Sequence, residues 1–318
     1  MLLWIKDYFK LDMLELQHRK GGALMLRVWR YAAISAVSAA LAVLTACSSS
    51  GSSISQGRAQ ETEDNADVHG VLTVTFLDIG KADSIIITTE NSTVVIDCGE
   101  KGDGRDVVKF LEEQGKTSID YLILTHYDKD HVGGAAKVIN NFEIGSVLGP
   151  DYHEYSQEAE KFREAMDKKG ITPKLLTEDL SIELDGAEYT VYAPEQTYYG
   201  PDDDNDYSLV TKLEYYDTTF LFTGDAMDQR LSEVMDIGGC DLLKVPYHGR
   251  KLANLDAFLD EVKPEYAVVC TSGEDFSPYT QGMLSDKGIR FWSTCFNGRI
   301  TAVSDGNEIA VSCEKGEV

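Results

Sequence analysis

Several things are scarce in this chain, and each scarcity excludes something. Cysteine is sparse and shows no CxxC spacing. With Cys47 set aside, Cys98, Cys240, Cys270, Cys295 and Cys313 remain, an odd number scattered along the chain. That excludes a dense disulfide framework and leaves room for one or two bridges at most. Basic residues are scarce too: 29 Lys and Arg against 54 Asp and Glu, a net charge of −25. Beyond residue 46 the balance is 23 basic against 51 acidic residues, or −28. A protein that grips nucleic acid along an extended surface needs the opposite sign, so no stable nucleic-acid complex is expected. The acidic balance suits solubility and a site for cations. Long apolar runs are absent apart from one of about 15 residues, short of the roughly 20 that span a bilayer, so a multi-span channel is excluded. No repeat of solenoid period occurs. The hydrophobic share of 43% and charged share of 26% are those of a globular protein, and 318 residues make one large domain or two small ones.

The one apolar run lies in "RVWRYAAISAVSAALAVLTAC", behind the basic flank of Arg27 and Arg30. Its end, "LTAC", resembles the cleavage and lipidation signal of bacterial lipoproteins. Residues 1–47 are therefore expected to be a signal peptide lipidated at Cys47, with Met25 as an alternative start. An uncleaved anchor is the competing reading. The stretch 48–69, "SSSGSSISQGRAQETEDNADVH", is polar and low in complexity, and reads as a flexible tether. A single domain is expected over 70–318.

From residue 71 the pattern is strand-rich. "VLTVTFLDI" alternates, with Leu72, Val74 and Phe76 on one face, and "SIIITT" and "TVVID" across the turn "ENS" read as a hairpin. A helix is expected in "DGRDVVKFLEEQG", capped by Asp103, and another in "SQEAEKFREAMDKKG". Strands are expected at 181–193, 207–216 and 218–224, a helix capped by Asn254, a weaker helix at 279–287, and closing strands near 289–293, 298–304 and 307–312. Strands and helices mix throughout, so the class is α/β with layered sheets.

The histidines carry the chemistry. Of six, His126, His131 and His248 stand where an apolar strand ends, after "YLIL" and after "DLLKVPY". Asp225 stands likewise after "TTFLFTG". Loops at strand ends are where a rigid scaffold presents functional groups. "HYDKDH" also crowds Asp128 and Asp130 between two histidines, a repulsive arrangement unless cations neutralise it. Two divalent cations sharing a bridging carboxylate, about 3.5–4 Å apart with a hydroxide between them, would account for the whole set. "PDDDND" (201–206) imitates the start of a calcium loop but lacks the Gly and Glu that such a loop needs, and reads as a solvated loop. Arg250 and Lys251 follow His248 and are the nearest cations for a substrate phosphate.

"THYDKDHVGG", "LFTGDA" and "VPYHG", in this order, resemble the metallo-β-lactamase superfamily. "FLDIGKADSIII" followed by "VVIDCGE" is similar to the soluble hydrolase domain of ComEC-type competence proteins and its free-standing relatives. The resemblance covers about 71–304. It implies a four-layer αββα sandwich with metals at one edge of the two sheets. By position, His126 and Asp128 would bind one metal, Asp130, His131 and His248 the other, and Asp225 would bridge, with Asp130 and Asp225 the catalytic carboxylates. Asp78, Asp83 and Asp97 would support the ligands from behind. The chain departs from the pattern in three places. Asp128 stands where many members have histidine. A third histidine on the first metal is replaced near Asn205, a weak ligand or substrate contact. A "YGHP"-like motif gives way to "CTSGEDFSPYT", which has no histidine to protonate a leaving group.

The expected function is an extracytoplasmic, lipid-anchored, metal-dependent hydrolase with two divalent ions, zinc or manganese. Its substrate would be a phosphodiester: a small molecule, a wall polymer or DNA. A catalytically silent metal-binding protein on the same fold, or an ester or lactone hydrolase, are the alternatives.

Overall fold

The structure, a computed structural model, describes residues 70–200 and 204–316. The leader with Cys47, the tether and residues 201–203 lie outside the described residues. The first strands are β1 (Leu72–Phe76), β2 (Ile85–Thr88), β3 (Thr93–Ile96), β4 (Ser118–Ile123), β5 (Glu143–Pro150) and β6 (Lys174–Leu176). Among them run helices α1 (Gly104–Glu113), α2 (Lys129–Val132), α3 (Ala135–Asn141) and α4 (Gln157–Lys169). Next come β7 (Leu180–Leu184), β8 (Ala187–Tyr192), β9 (Val210–Tyr215), β10 (Thr218–Phe222), β11 (Leu242–Lys244), β12 (Tyr266–Val269) and β13 (Arg290–Ser293). Helices α5 (Asp228–Glu233), α6 (Leu255–Val262), α7 (Pro278–Asp286) and α8 (Thr294–Asn297) accompany them. The hairpin β14 (Ile300–Ser304) and β15 (Ile309–Cys313) closes the described chain.

Eight strands form one sheet, in the order β15-β14-β1-β2-β3-β4-β5-β6, and seven form the other, β13-β12-β11-β10-β9-β8-β7. Alternation sorts their side chains into three cores. Leu72, Val74, Phe76, Ile85 and Ile87 of the first sheet meet Tyr189, Leu213, Phe220, Phe222 and Leu242 of the second in a core between the sheets. The intervening Ile86 and Val95 turn outward and are covered by Val107 and Leu111 of α1, Val138 of α3 and Phe162 of α4. On the far side Leu221, Leu243 and Ala267 are covered by Leu231 of α5, Phe258 of α6 and Leu284 of α7. Helices lie on the outside of both sheets, which is the αββα arrangement.

Three local expectations change. The strand expected at 181–193 is a hairpin, β7 and β8, folded at Asp185–Gly186 with φ 52° and 80°. Asp-Gly is the turn signal for such a hairpin. Asp103 makes no side-chain cap to α1; its carboxylate accepts from Glu100 N–H at 2.8 Å instead. Asn254 makes no cap either, and its amide donates to the Asp228 carbonyl at 2.9 Å, tying α6 to α5. Ser156 does cap α4, accepting from Ala159 N–H.

Candidate metal centre

Most of the functional side chains leave the ends of buried strands. β3 runs into Asp97, β4 into Thr125 and His126, β10 into Gly224 and Asp225, and β11 ends on Lys244 before His248. β3 pairs parallel with β4, and β10 with β11, so within each sheet these ends share one edge. After His126 the chain turns back at once, and α2 is a single turn that buries Asp130 and His131. Backbone bonds clamp that turn: Asp83 N–H donates to the Asp130 carbonyl at 3.2 Å, and Cys98 N–H to the His131 carbonyl at 2.8 Å. This explains the glycines of "HVGG", since a Cβ on Gly134 would strike the Cys98 carbonyl. Gly224, with φ +52°, lies so close to Thr125 that a Cβ there would fall 2.8 Å from its side chain.

All three imidazoles are held by Nδ1. His131 Nδ1 meets Asp97 Oδ2 at 2.8 Å, and His248 Nδ1 donates to the Cys270 carbonyl at 2.9 Å. Thr125 Oγ1 donates to Asp97 at 2.6 Å and lies 3.1 Å from His126 Nδ1, whose proton it can accept. Anchored Nδ1–H groups leave each Nε2 lone pair for something else. The Nε2 atoms of His126, His131 and His248 are buried and make no hydrogen bond, as is true of Asp225 Oδ1 and Asn205 Oδ1. They converge. Donor atoms of His126, His131 and Asp225 lie within 4.8 Å of one another, as do those of Asp130, His131 and His248. Asp225 Oδ2 is 2.9 Å from His248 Nε2 and 3.5 Å from His131 Nε2. Buried imidazole and carboxylate donors whose inward atoms face one another form a set fitted to divalent cations.

At His131 and His248 burial pulls the imidazole toward neutrality, yet the Asp225 carboxylate outweighs it. His131 ends well above its ordinary value, helped by Asp97, and His248 is raised to about 9. Burial would raise Asp225, but His248 and His131 hold it well below the carboxylate range. Asp130 is likewise depressed, by His248, His131 and Lys81 against its burial.

Two lysines enter the cluster that the motifs did not point to. Lys244 is fully buried on the inter-sheet face it shares with Leu242, where it pairs with Asp83, donates to the Gly224 carbonyl at 2.8 Å and lies 3.5 Å from Asp225 Oδ1. Lys81, in the β1–β2 loop, places its ammonium 2.6 Å from Asp130 Oδ2. A charged residue ending the apolar run "DLLKV" was the available signal for Lys244. Nothing in "GKADS" singled out Lys81.

The expected residues fall as follows. Asp130, His131, His248, Asp225 and His126 come together, backed by Asp97 and Asp83. Asp128 lies at the margin, with its side chain 39% exposed and Oδ2 3.7 Å from His126 Nε2. Asn205 sits in the 3-10 turn Asp204–Tyr207, which docks beside β4 through Leu209 N–H on the Thr125 carbonyl at 2.8 Å. Asp78 is not brought to the cluster; its carboxylate pairs with Lys315 at 2.8 Å. Arg250 is forked onto Asp275 at 2.5 and 3.1 Å, and Lys251 lies 4.7 Å above the Tyr279 ring. The five remaining cysteines are free thiols.

The sequence profile of the Metallo-beta-lactamase superfamily matches residues 77–274, which contain every metal-ligand candidate named above. ComE operon protein 3 of Bacillus subtilis is 27% identical over 217 residues, covering 62% of this chain and 28% of that protein. Recombination protein 2 of Haemophilus influenzae is 23% identical over 203 residues, 62% of this chain and 24% of that one. Competence protein ComA of Neisseria gonorrhoeae is 27% identical over 202 residues, 61% and 26%. The matched region thus spans about a quarter of the length of these curated relatives. The fold, the strand-end donor set and the family match agree: the chain belongs to the metallo-beta-lactamase superfamily.

Proposed function

We propose that this chain is a metal-dependent phosphodiesterase that works outside the cytoplasmic membrane with two divalent ions, zinc or manganese. One observation carries the reading: three buried Nε2 atoms without hydrogen bonds converge with Asp130 and Asp225 in two overlapping donor sets. Asp130, His131 and His248 would hold one ion, His126 and Asp128 the other, with Asp225 between them and Asn205 at the margin. When bound, the ions supply an activated water and offset the negative charge that develops on a phosphoryl group.

The protein's own groups do the rest. Asp97, the Cys270 carbonyl and Thr125 fix which nitrogen of each imidazole faces inward. Lys244, paired with Asp83, sets positive charge behind Asp225. Arg250 and Lys251 are the candidate contacts for substrate phosphate at the rim. The loop 270–280 has no histidine, and its Asp275 is held below the usual carboxylate range by the Ser272 hydroxyl and Arg250. Asp275 is therefore no proton donor near neutral pH, which favours substrates with good leaving groups. The net charge of −28 beyond residue 46 favours small phosphodiesters or wall polymers over DNA.

The test is metal analysis of residues 60–318, with turnover of bis(p-nitrophenyl) phosphate and of an activated carboxylic ester under zinc and under manganese. Faster ester than phosphodiester turnover would move the assignment to ester or lactone hydrolysis. Bound metal with neither activity would make the chain a silent metal-binding protein, a reading that the sparse first donor set favours. Anchoring is proposed at Cys47: the full chain should label with fatty acid and Cys47→Ala should not. Labelling that survives the change would remove the anchor.

Among the described residues no helix is long and apolar enough to cross a membrane.

A further inference from the structure

Four cations stand in or beside the site, and their environments differ. Lys244 is sealed in, spent on Asp83 and the Gly224 carbonyl. Arg250 has two of its nitrogens on Asp275 Oδ1 and a third 3.3 Å from the Tyr247 hydroxyl. Lys251 is exposed and lies over Tyr279. Lys81 alone combines direct contact with a ligand carboxylate, 2.6 Å to Asp130 Oδ2, with a side chain 30% open to solvent. It comes from a loop rather than a strand, behind Gly80 at φ 77°.

Asp130 Oδ2 is also 3.5 Å from His248 Nε2, inside the donor set Asp130–His131–His248. An ammonium and a divalent cation cannot share that oxygen without repelling each other. The lysine stem is flexible and the way out is open, so the ammonium is the group that yields. Once displaced it is a cation beside a cation at the rim, with Arg250 fixed nearby. That arrangement is relieved by an anion that reaches both, and a tetrahedral oxyanion has oxygens enough to do so.

We propose that Lys81 is the site's own oxyanion contact: its ammonium gives up Asp130 to the incoming divalent ion and takes a non-bridging oxygen of the bound phosphodiester instead. This deepens the phosphodiesterase reading and rests on it for the identity of the substrate. It assigns to Lys81 the contact with the reacting group. Arg250, fixed on Asp275, would share that anion, and Lys251, over the Tyr279 ring, is left to more distant parts of the substrate.

The experiment compares wild-type protein, Lys81→Gln and Lys81→Arg by calorimetry, first with manganese and then, on the loaded proteins, with inorganic phosphate. Lys81→Gln should bind the ion at Asp130 several-fold more tightly, because no ammonium has to be displaced, and bind phosphate about tenfold more weakly. Lys81→Arg should recover phosphate binding to within about threefold of wild type. Phosphate affinity in Lys81→Gln within about twofold of wild type at equal metal content would overturn the assignment. So would a loss of metal affinity in that variant, which would make Lys81 a structural partner of Asp130. The outcome is separable from the function: Lys81-dependent phosphate binding without any turnover of bis(p-nitrophenyl) phosphate would sustain Lys81 as the oxyanion contact and end the phosphodiesterase reading.

Discussion

The two halves of the metal centre are built to different standards. In one half the supports of His131 and His248 are buried: Asp97 accepts from His131 Nδ1–H, and the Cys270 carbonyl accepts from His248 Nδ1–H. The chain accepts strain to put His248 there, since Tyr247 and His248 both have positive φ, 49° and 52°. Each such residue costs on the order of 1–3 kcal/mol and persists because its surroundings impose it. The other half has one imidazole, held by a hydroxyl, beside a carboxylate that is 39% exposed. It is also crowded with negative charge: burial, then Asp128 and Glu154, push Asp204 above the carboxylate range. One half is nitrogen-rich and preorganised and the other oxygen-rich and open, so two ions held there should differ in affinity and in preferred metal.

Removing what both halves share should have the largest effect. Asp225→Ala should lower turnover by on the order of 1,000-fold and reduce metal content, while circular dichroism shows the strands intact. Wild-type activity with full metal occupancy would rule out a centre bridged by Asp225. Asp97→Asn is the next test, because it acts directly on the preorganised half and reaches His126 only through the Thr125 hydroxyl. Replacing the carboxylate that orients His131 should weaken metal binding there by about 10- to 100-fold. Equal weakening of both ions, measured by competition with a chelator, would show that the halves are not independent.

Much of this site was legible because strand ends and motifs coincide. His126, Asp225 and His248 each follow a run of buried apolar residues, and His131 lies one helical turn beyond His126, so their side chains share one edge. The layers were legible from strands and helices mixing throughout the chain, with alternation in β1 and an unbroken apolar run in β2. Other features depended on partners distant in sequence. Asp78 and Asp83 look alike in "LDIGKAD", yet one pairs with Lys315 and the other with Lys244. No local pattern distinguishes them. Asp103 and Asn254 occupy capping positions without capping, because Glu100 and α5 offer their side chains better-placed partners. Lys81 reads as an ordinary loop lysine until the fold sets it on Asp130.

Asn205→His sharpens the comparison from the weaker side. A second imidazole near His126 should tighten the first ion by about tenfold and shift the activity preference toward zinc. In the wild type, manganese should support more turnover than zinc, and mild chelation should remove the ion at His126 and Asp128 first. Two zinc ions that survive dialysis, with fastest turnover in zinc, would contradict the roles given to Asp128 and Asn205.

The smallest effect expected is a difference in the sign of pH dependence. His248 has its pKa raised to about 9, because Asp225 and Asp130 outweigh burial. In chelated protein this contribution to stability is fully present below the unfolded value of about 6.5 and is lost as pH rises through about 9. Its size is about 1–3 kcal/mol, given the coupling to Asp225. His131, raised in the same direction, adds to the loss. A divalent ion needs His248 without its proton on Nε2, so over the same window rising pH should strengthen metal binding, and bound metal stabilises the native state. Thermal unfolding from pH 6.5 to 9 should therefore fall by several degrees in chelator and hold or rise in manganese. The divergence belongs to the preorganised half, so it should survive Asn205→His and be much reduced in Asp225→Ala, which removes the carboxylate chiefly responsible for raising both imidazoles. Parallel profiles with and without metal would mean that protons and ions do not compete for His248.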